Sequence, residues 1–451
     1  MKPKSIVLRE FGIICCGTEN NTIDRAYLPQ KQFEQLEKFV LANQREEPEF
    51  GQLMTISVMR GYGKVFKTQN YVGVITLKDG TTIEILPKIS SVSYDYDEEK
   101  TKGEMRKLLV RMLRSLRSVP YKSTRSSKID AEKLPLFEIF VRMFLDEVFF
   151  IVRKGLKSGY ETIRGNERFY KGKMLFGEQV KYNRIHKERF FIEYDEYNAN
   201  RAENKLLKST LLLLERKSVS AVNQADIRNL LVLFSEIFPS KDYEKDFSVS
   251  CLERSTQYYR GALDWCKIFL AGKSFLSFKG EEYASALLFP MERLFQDYVA
   301  KEICRVLMPR GWAVSTQESA RYLFDDPLKF KLLPDIVVRK DGKTYIFDTK
   351  WKLLCDDATK NFCISQGDMY QMYAYHKKYE SGNETVCGVY LLYPQFDENF
   401  VGLKYSSAKD KVNVKIRFID LMNIGKKSGS GETLDDVLTD SIWCRTVSIK
   451  E

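Results

Sequence analysis

The sequence predicts an α+β protein of several domains: a β-rich N-terminal domain, a mostly helical middle region with a charged β-hairpin, and an α/β C-terminal domain. The length of 451 residues exceeds what one hydrophobic core usually serves. Hydrophobic residues make up 44% and charged residues 29% of the chain, which is a globular balance. Changes in the hydrophobic pattern place the predicted domains at 1–110, 111–275 and 276–451.

The N-terminal domain is predicted from three strand-like runs. Leu53–Met59 alternates, Tyr71–Leu77 is apolar and β-branched, and Thr81–Leu86 follows a Lys-Asp-Gly turn that favours a hairpin. One helix is expected around Gln30–Asn43. The polar stretches 90–103 and 118–133 are interpreted as exposed connections.

The middle region is predicted to be helical around one charged hairpin. Pro135 and Gly155 flank a long helix whose interior, Leu136–Val152, is apolar on nearly every side and is therefore expected to be buried. The segment Tyr170–Tyr194 has a strand-like pattern with many basic residues. Further helices are expected at about Ala202–Lys217, Gln224–Phe238 and Ser255–Leu270.

The C-terminal domain shows an α/β alternation, which favours a small mixed sheet flanked by helices. A Lys-Asp-Gly turn at 340–342 separates its first two strands. The predicted elements are a helix at Ala286–Leu307, strands at Leu332–Val338 and Thr344–Asp348, a helix at Ser365–Tyr379, and strands at Val386–Tyr393 and Val412–Ile419.

Composition limits the classes of function. The net charge of +11 makes a polyanionic partner reasonable. The nine cysteines are an odd number without zinc-site spacing, so we expect reduced thiols in a cytoplasmic protein. No run approaches the roughly 20 apolar residues that span a bilayer, so no membrane association is expected. With two histidines only, a histidine-rich metal site is excluded.

The residues that predict chemistry lie on the hairpin of the C-terminal domain. Asp335 opens its first strand and Asp348 closes its second, so an antiparallel register places both carboxylates at one end. Two adjacent carboxylates repel each other unless a cation lies between them, and hard oxygen ligands favour Mg²⁺ or Mn²⁺. The backbone carbonyl of Thr349 is a third candidate ligand. Lys350 projects to the same face as Asp348, where its ammonium group can orient or deprotonate a water and neutralise a phosphate.

A second pair of polar residues lies on the helix that follows. Gln371 and Tyr375 are four residues apart and share one helix face, from which they can contact a phosphate or brace the metal ligands. Simpler interpretations remain open at this stage. The acidic residues also fit ordinary strand ends, and the helical pair also fits a core tyrosine capped by a glutamine.

Together, Pro334-Asp335, Asp348-Thr349-Lys350 and Gln371-x-x-x-Tyr375 resemble the PD-(D/E)xK nuclease superfamily. More narrowly, the sequence resembles the McrC family, the nuclease subunits of McrBC modification-dependent restriction systems. The resemblance covers most of the chain. It also includes 82–88, 136–160, Lys171-Gly172-Lys173 to Phe176, 204–211, 258–269, Leu294-Phe295-Gln296 and 368–375.

The chain departs from the family pattern at two positions. Many superfamily members have a glutamate ligand on the first core helix, where this chain has Gln296 followed by Asp297. Gln296 is therefore interpreted as a supporting residue that can orient a metal-bound water. Lys205 stands where the family usually has arginine, on a helix expected to be structural.

The resemblance implies a Mg²⁺-dependent endonuclease acting on double-stranded DNA, with Asp335, Asp348, Lys350, Gln371 and Tyr375 as catalytic residues. It also implies docking onto an McrB-like AAA+ GTPase hexamer, which binds the GTP and recognises the modified base. A second copy of the chain is expected in the assembly, since cutting both strands needs two sites. The family's GTPase-stimulating finger is assigned to the charged region 164–189, with Arg184, Lys187 and Arg189 as candidates.

Two other functions remain open. The chain can be a regulatory adaptor that activates the GTPase ring with a degenerate nuclease site, or a stand-alone repair nuclease of the same fold. A simpler interpretation of the charged region is a basic hairpin that is solvated by water or contacts DNA phosphates. No residue pattern in this sequence indicates which modified base is recognised or how many copies of each subunit the complex contains.

Overall fold

The computed structural model describes residues 5–46, 53–88, 98–115, 134–250, 254–270, 284–355, 357–380, 385–395, 402–421 and 438. The chain divides into two compact units with a mixed α/β architecture. The first unit holds residues 1–117, 131–133 and 280–451, and the second holds 118–130 and 134–279. The predicted segments 1–110 and 276–451 thus fall almost entirely in the first unit, and 111–275 falls mostly in the second.

The N-terminal part of the first unit contains two four-stranded sheets. One sheet has the order β3-β2-β5-β4, and the other has the order β1-β7-β6-β11, with β11 contributed from much later in the chain. The elements are β1 (Ser5–Arg9), β2 (Ile13–Cys16), β3 (Arg25–Leu28), α1 (Gln30–Glu46), β4 (Met54–Met59), β5 (Gly63–Thr68), β6 (Tyr71–Leu77), β7 (Thr82–Leu86), α2 (Glu98–Leu113) and β11 (Ala284–Pro290).

The C-terminal part of the first unit is built on a six-stranded mixed sheet of order β12-β15-β16-β17-β19-β18. The strands β15 and β16 form an antiparallel hairpin, and β16 pairs in parallel with β17. The elements are α9 (Met291–Leu307), β12 (Ala313–Thr316), β13 (Tyr322–Asp325), β14 (Leu328–Lys331), β15 (Ile336–Lys340), β16 (Lys343–Thr349), α10 (Gln366–Tyr379), β17 (Thr385–Pro394), β18 (Leu403–Ser407) and β19 (Val412–Ile419), with short 3-10 helices at Met308–Arg310 and Ala358–Cys363.

One hydrophobic core fixes α10 against this sheet. Met372 and Tyr375 of α10 belong to the same buried cluster as Val337, Ile346 and Val389 of the central strands. Their burial removes apolar surface from water and therefore stabilises the helix in this position. The polar residues of α10 are in this way carried to a defined place over the sheet.

The second unit is mostly helical and contains one three-stranded sheet of order β8-β10-β9. The strands β8 and β10 pair antiparallel over nine residue pairs, from Gly159↔Asn198 to Glu167↔Phe190. The elements are α3 (Leu136–Lys154), β8 (Gly159–Glu167), β9 (Lys173–Met174), α4 (Phe176–Tyr182), β10 (Phe190–Asn198), α5 (Ala202–Lys217), α6 (Ala221–Leu233), α7 (Tyr243–Val249), a 3-10 helix (Arg254–Tyr259) and α8 (Arg260–Leu270).

Helix α3 lies in the core of the second unit, as its apolar sequence predicts. Met143, Phe144 and Leu145 are successive residues and are all 0% exposed, so the helix is buried on several sides. The buried carboxylate of Glu138 accepts hydrogen bonds from Ser218 Oγ and from Asn223 Nδ2, each at 2.7 Å. These contacts offset the cost of burying the charge.

Most predicted elements are confirmed, and four predictions are wrong. The first five residues of the helix predicted at 286–307 belong instead to the strand Ala284–Pro290, because they pair with β6. The strand-like segment 170–194 contains a helix at 176–182, and the predicted loop 90–103 overlaps α2 from residue 98 onward. The cysteines are not all reduced, since Cys355 and Cys363 form a disulfide.

The predicted connection 118–133 lies outside the described residues. No helix in the described ranges combines the length and the apolar composition that crossing a bilayer requires.

Gly73 allows β11 to pair closely with β6. Its φ angle is +140°, and a Cβ atom at this position would lie 1.9 Å from the backbone oxygen of Leu287. We therefore expect Gly73→Ala to lower the free energy of unfolding by about 3 kcal/mol, since the backbone itself must shift. Calorimetric melting of the full chain measures this effect. Gly61→Ala is the control, because Gly61 also has a positive φ but no atom within 4 Å of its added Cβ; equal losses in both variants would contradict the explanation.

Glu147 gives the second unit a pH-dependent stability. The residue is 5% exposed, and its burial together with the charge of Asp146 raises its pKa from 4.5 to about 8. The folded chain therefore keeps a proton that the unfolded chain loses near pH 4.5, so stability falls as the pH rises through this window. We expect Glu147→Gln to gain stability relative to the native chain between pH 5 and pH 9, by about 1.4 kcal/mol or more. Urea denaturation of both proteins at several pH values measures this difference. The prediction would be contradicted if the free energies of unfolding of the native chain and the variant changed in parallel with pH.

Candidate active site

The β15–β16 hairpin brings Asp335 and Asp348 to the same end of the sheet. The register pairs Ile336 with Phe347, so the next pair along the hairpin is Asp335 with Asp348. The strands form because Ile336–Val338 and Ile346–Phe347 are buried apolar residues in the middle of the sheet. The antiparallel arrangement predicted from the turn at 340–342 is confirmed.

Asp335 is held by donors from two neighbouring elements. Its Oδ2 accepts hydrogen bonds from the backbone N–H of Thr349 at 2.7 Å and from the hydroxyl of Thr349 at 2.6 Å. Its Oδ1 accepts a hydrogen bond from Nε2 of Gln296 at 2.5 Å. Gln296 lies on α9, so the first helix of this part orients the carboxylate. The resemblance suggested that Gln296 orients a water; the structure places its amide directly on Asp335.

Asp348 and Lys350 form a buried ion pair. Nζ of Lys350 lies 2.5 Å from Oδ2 of Asp348, whose side chain is 2% exposed. The backbone N–H of Lys350 donates to the carbonyl of Leu392 on β17 at 2.9 Å, which fixes the residue just beyond the end of β16. As predicted, both side chains project toward the same group of residues.

The site concentrates negative charge where water is excluded. Burial and, next, the nearby carboxylate of Asp335 raise the pKa of Asp348 to about 7, although the ammonium group of Lys350 acts in the opposite direction. Burial also raises the pKa of Asp335, while its hydrogen bonds from Thr349 lower it. Burial lowers the pKa of Lys350, but the charge of Asp348 more than offsets this, so its pKa is raised overall. The charged forms of the two carboxylates are therefore destabilised, and a bound cation would stabilise them.

Gln371 and Tyr375 join the same cluster from α10. Oε1 of Gln371 accepts a hydrogen bond from Nζ of Lys350 at 3.3 Å, and its Nε2 donates to the hydroxyl of Tyr375 at 2.7 Å. Tyr375 is 2% exposed and packs in the hydrophobic core. The pair thus connects the ammonium group of Lys350 to the core, which fits the interpretation of Tyr375 as a core tyrosine bonded by a glutamine. A role of the pair in catalysis stays a prediction.

A residue that no sequence pattern marked anchors Trp351, which directly follows Lys350. Glu10 follows β1 and is 1% exposed, and both of its carboxylate oxygens lie 3.2 Å from Nε1 of Trp351, which donates to them. The carboxylate also accepts the backbone N–H of Lys88 at 2.9 Å. Burial raises the pKa of Glu10 to about 8. The two partners are 341 positions apart, so no local pattern predicts the contact.

The donor set fits a hard divalent cation. Within the described ranges, no group of three or more His, Cys, Asp and Glu residues is placed to hold a metal. The site instead offers two carboxylates, those of Asp335 and Asp348, with the backbone carbonyl of Thr349 as a third oxygen. Mg²⁺ is commonly bound by one or two carboxylates and otherwise keeps water ligands, so this set suits it. The catalytic and metal-binding roles of these residues stay predictions.

The candidate finger residues lie in the connection between β8 and β10. All three follow the short helix α4; Arg184 and Lys187 are exposed, and Arg189 is partly buried. Asn183 anchors this segment by exchanging two 2.8 Å hydrogen bonds with Asn166 of β8. Gly172 has a φ of +71°, and a Cβ there would lie 2.3 Å from the backbone oxygen of Glu193, which explains the glycine of the Lys-Gly-Lys motif.

The same connection exposes large apolar side chains that the charge-based analysis overlooked. Phe169 is 81% exposed, Phe176 is 75% exposed and Ile185 is 87% exposed. Such residues on an exposed tip are typical of surfaces that contact another macromolecule. In the sequence, the positions of these apolar residues between the basic ones could have indicated this surface.

Comparison with known proteins gives three results. The family model described as McrBC 5-methylcytosine restriction system component matches residues 66–394. No curated protein matches the sequence significantly. The fold is similar, with a TM-score of 0.62 and 17% identity, to a chain in the refined half-complex from the tetradecameric assembly of Thermococcus gammatolerans McrB AAA+ hexamers with bound McrC; the alignment covers 92% of this chain and 95% of that one.

A second similar structure is the cryo-EM structure of the Thermococcus gammatolerans McrBC complex, with a TM-score of 0.47 and 18% identity over 67% of this chain and 88% of that one. The family match extends over most of the 451 residues and includes the Asp335–Tyr375 cluster. The chain therefore belongs to the McrBC 5-methylcytosine restriction system component family.

Proposed function

We propose that this chain is the Mg²⁺-dependent, PD-(D/E)xK-type DNA endonuclease subunit of an McrBC-like restriction complex in the cytoplasm. The observation that carries the proposal is the convergence of Asp335, Asp348 and Lys350, with Gln371 bonded to the lysine. Phosphodiester hydrolysis needs a metal site, a positioned water and a cation for the charge that develops on the phosphate. In this cluster, the carboxylates of Asp335 and Asp348 would bind the metal, and the ammonium group of Lys350 would orient the water and neutralise the phosphate.

Asp335, Asp348 and the carbonyl of Thr349 would hold Mg²⁺, or Mn²⁺ in its place. When bound, the cation supplies a water of lowered pKa and stabilises negative charge on the phosphate. Gln296 and Thr349 keep the carboxylate of Asp335 in one orientation through three hydrogen bonds. Preorganised ligands of this kind lose little free energy to rearrangement when the substrate binds.

Lys350 acts as a fixed cation next to the phosphate. Its pKa is raised by Asp348, so the ammonium group keeps its proton. A protonated lysine donates hydrogen bonds and neutralises charge, which favours the orienting role over the deprotonation of water. Gln371 holds the Nζ atom at 3.3 Å, and Tyr375 holds Gln371, so the helical pair positions the lysine.

We further propose that the chain assembles with an McrB-like AAA+ GTPase hexamer. Support comes from the fold, which is similar to a chain of the McrB–McrC assembly of Thermococcus gammatolerans. The sequence has no Gly-x-x-x-x-Gly-Lys-Ser/Thr loop, so GTP would be bound by the partner alone. The charged region 164–189, with Arg184, Lys187 and Arg189, is the proposed finger that stimulates GTP hydrolysis. A second copy of the chain supplies the site for the other DNA strand.

The alternatives make different demands on the site. A purely regulatory adaptor would have no need for two buried carboxylates that face each other, which are costly to retain. A stand-alone repair nuclease would cut DNA without partner or GTP, whereas the partner-dependent subunit should cut little or none alone. A cleavage assay of the purified chain with and without the partner and GTP separates these functions.

Asp335→Asn tests the nuclease assignment. The change removes one negative charge and keeps the size of the side chain, so DNA cleavage by the complex should fall at least about 100-fold. Complex formation and GTP hydrolysis should be unaffected, since the site is not part of the proposed finger. Measurement of cleavage and GTPase rates on the same preparation checks both statements.

Asp341→Asn is the matched control, because Asp341 lies in the turn at the opposite end of the same hairpin and is exposed. Its cleavage rate should equal that of the native chain. Undiminished cleavage by the Asp335→Asn complex would show that the chemistry occurs elsewhere.

The finger is tested by replacing Arg184, Lys187 and Arg189 together with alanine. If these groups position the GTP or its water network in the partner, stimulation of GTP hydrolysis should fall at least about tenfold, less than the loss of a direct arginine finger. The control replaces the exposed Arg216, Lys217 and Lys241 of the same unit, which removes the same charge. Equal GTPase rates in both triple variants would refute the assignment.

A further inference from the structure

A cavity of about 460 Å³ lies beside the candidate active site. Its lining comes from two distant parts of the sequence within the first unit: Phe11, Gln69, Asn70 and Lys88 on one side, and Trp351 and Lys352 on the other. The volume lies in the range of pockets that hold a small organic ligand. Trp351 and Lys352 directly follow Lys350, so the cavity begins where the catalytic motif ends.

Hydrogen bonds tie both walls of the cavity to the site. Glu10, the neighbour of Phe11, accepts from the indole N–H of Trp351. Asn70 donates through Nδ2 to Glu292 at 2.8 Å, and its carbonyl accepts from the backbone N–H of Met291 at 2.9 Å. These are the first residues of α9, whose next turn carries Gln296. A molecule in the cavity would therefore contact groups fixed relative to Asp335.

The lining has the chemistry that recognises a nucleotide. Phe11 is 39% exposed although it is aromatic, and its backbone has an unusual φ of +62°, which presents the side chain from a tight turn. Gln69 and Asn70 add amide groups whose nitrogens bond Thr55 and Glu292 and whose oxygens can accept from the edge of a base. Aromatic faces and amides together are typical of sites for unpaired bases.

Lys88 makes this wall favourable for an anion. Burial lowers the pKa of its ammonium group, and the positive charge of Arg9 lowers it further. A phosphate placed there would offset both effects, since it would be attracted to the lysine and would screen it from the arginine. Lys352 is paired with Asp368 at 3.0 Å and so adds a balanced charge at the opposite side.

We propose that this cavity binds an unpaired nucleotide of the DNA strand beside the scissile phosphate, with its base against Phe11 and its phosphate at Lys88. The proposal rests on the proposed nuclease function and adds the contact that places the strand. One nucleotide therefore leaves the base stack when the DNA docks. This contact fixes the path of the strand through the site without recognising a particular base.

The test measures binding of a fluorescein-labelled 20-nucleotide single strand to the full chain carrying Asp335→Asn, which prevents cleavage. Phe11→Ala should weaken binding about 5-fold to 100-fold, the range measured for loss of one base–aromatic contact. Phe11→Tyr should restore binding, since it keeps the ring. Lys88→Ala should weaken binding and lower the slope of log affinity against log salt by about one.

Lys31→Ala is the control, because Lys31 is exposed on α1 and does not line this cavity. Its affinity and salt slope should match the parent. Thermal melting of each variant separates lost binding from lost folding, and Lys88→Ala keeps the test valid if Phe11→Ala misfolds. No measurable binding by the parent, or parent-like binding by both cavity variants, overturns the proposal. The nuclease assignment is judged separately, by whether Asp335→Asn abolishes cleavage.

Discussion

The electrostatic repulsion between Asp335 and Asp348 is the constraint on which the site depends. Asp348 is buried and Asp335 is partly buried at adjoining positions of one hairpin, and burial raises the pKa of each. Such an arrangement costs free energy unless positive charge or hydrogen-bond donors compensate it. Thr349, Gln296 and Lys350 supply part of that compensation. A divalent cation would supply the rest, and this is the physical reason for proposing metal-dependent chemistry at the site.

The surroundings of the pair are held by distant parts of the chain. Helix α9 supplies the amide of Gln296, helix α10 supplies Gln371 to the lysine, and the N-terminal strand supplies Glu10 to Trp351. The N-terminal part is therefore more than an attached domain, because Glu10 holds Trp351, the residue that follows the candidate catalytic Lys350. A site built on regular elements keeps its geometry better than one built on loops.

Local sequence patterns predicted the elements of the site well. The hairpin, helix α10 and the pairing of Asp335 with Asp348 followed from apolar runs, a turn signal and helical spacing. The strand Ala284–Pro290 was missed because its apolar run suits a helix or a strand equally, and a pairing with Tyr71–Leu77, more than 200 positions away, decides the outcome. The helix Phe176–Tyr182 has a cap without a side-chain hydrogen bond, so no start signal marked it. No local pattern predicts the contact of Glu10 with Trp351 or the disulfide of Cys355 with Cys363, because these partners meet only in the folded chain.

Crystals of the protein soaked in Mn²⁺, used in place of Mg²⁺ for its anomalous scattering, test the central claim most directly. The account predicts one strong anomalous peak within about 2.5 Å of a carboxylate oxygen of both Asp335 and Asp348. A saturating soak that leaves no peak between these two side chains, or that places the ion at another cluster, would contradict it.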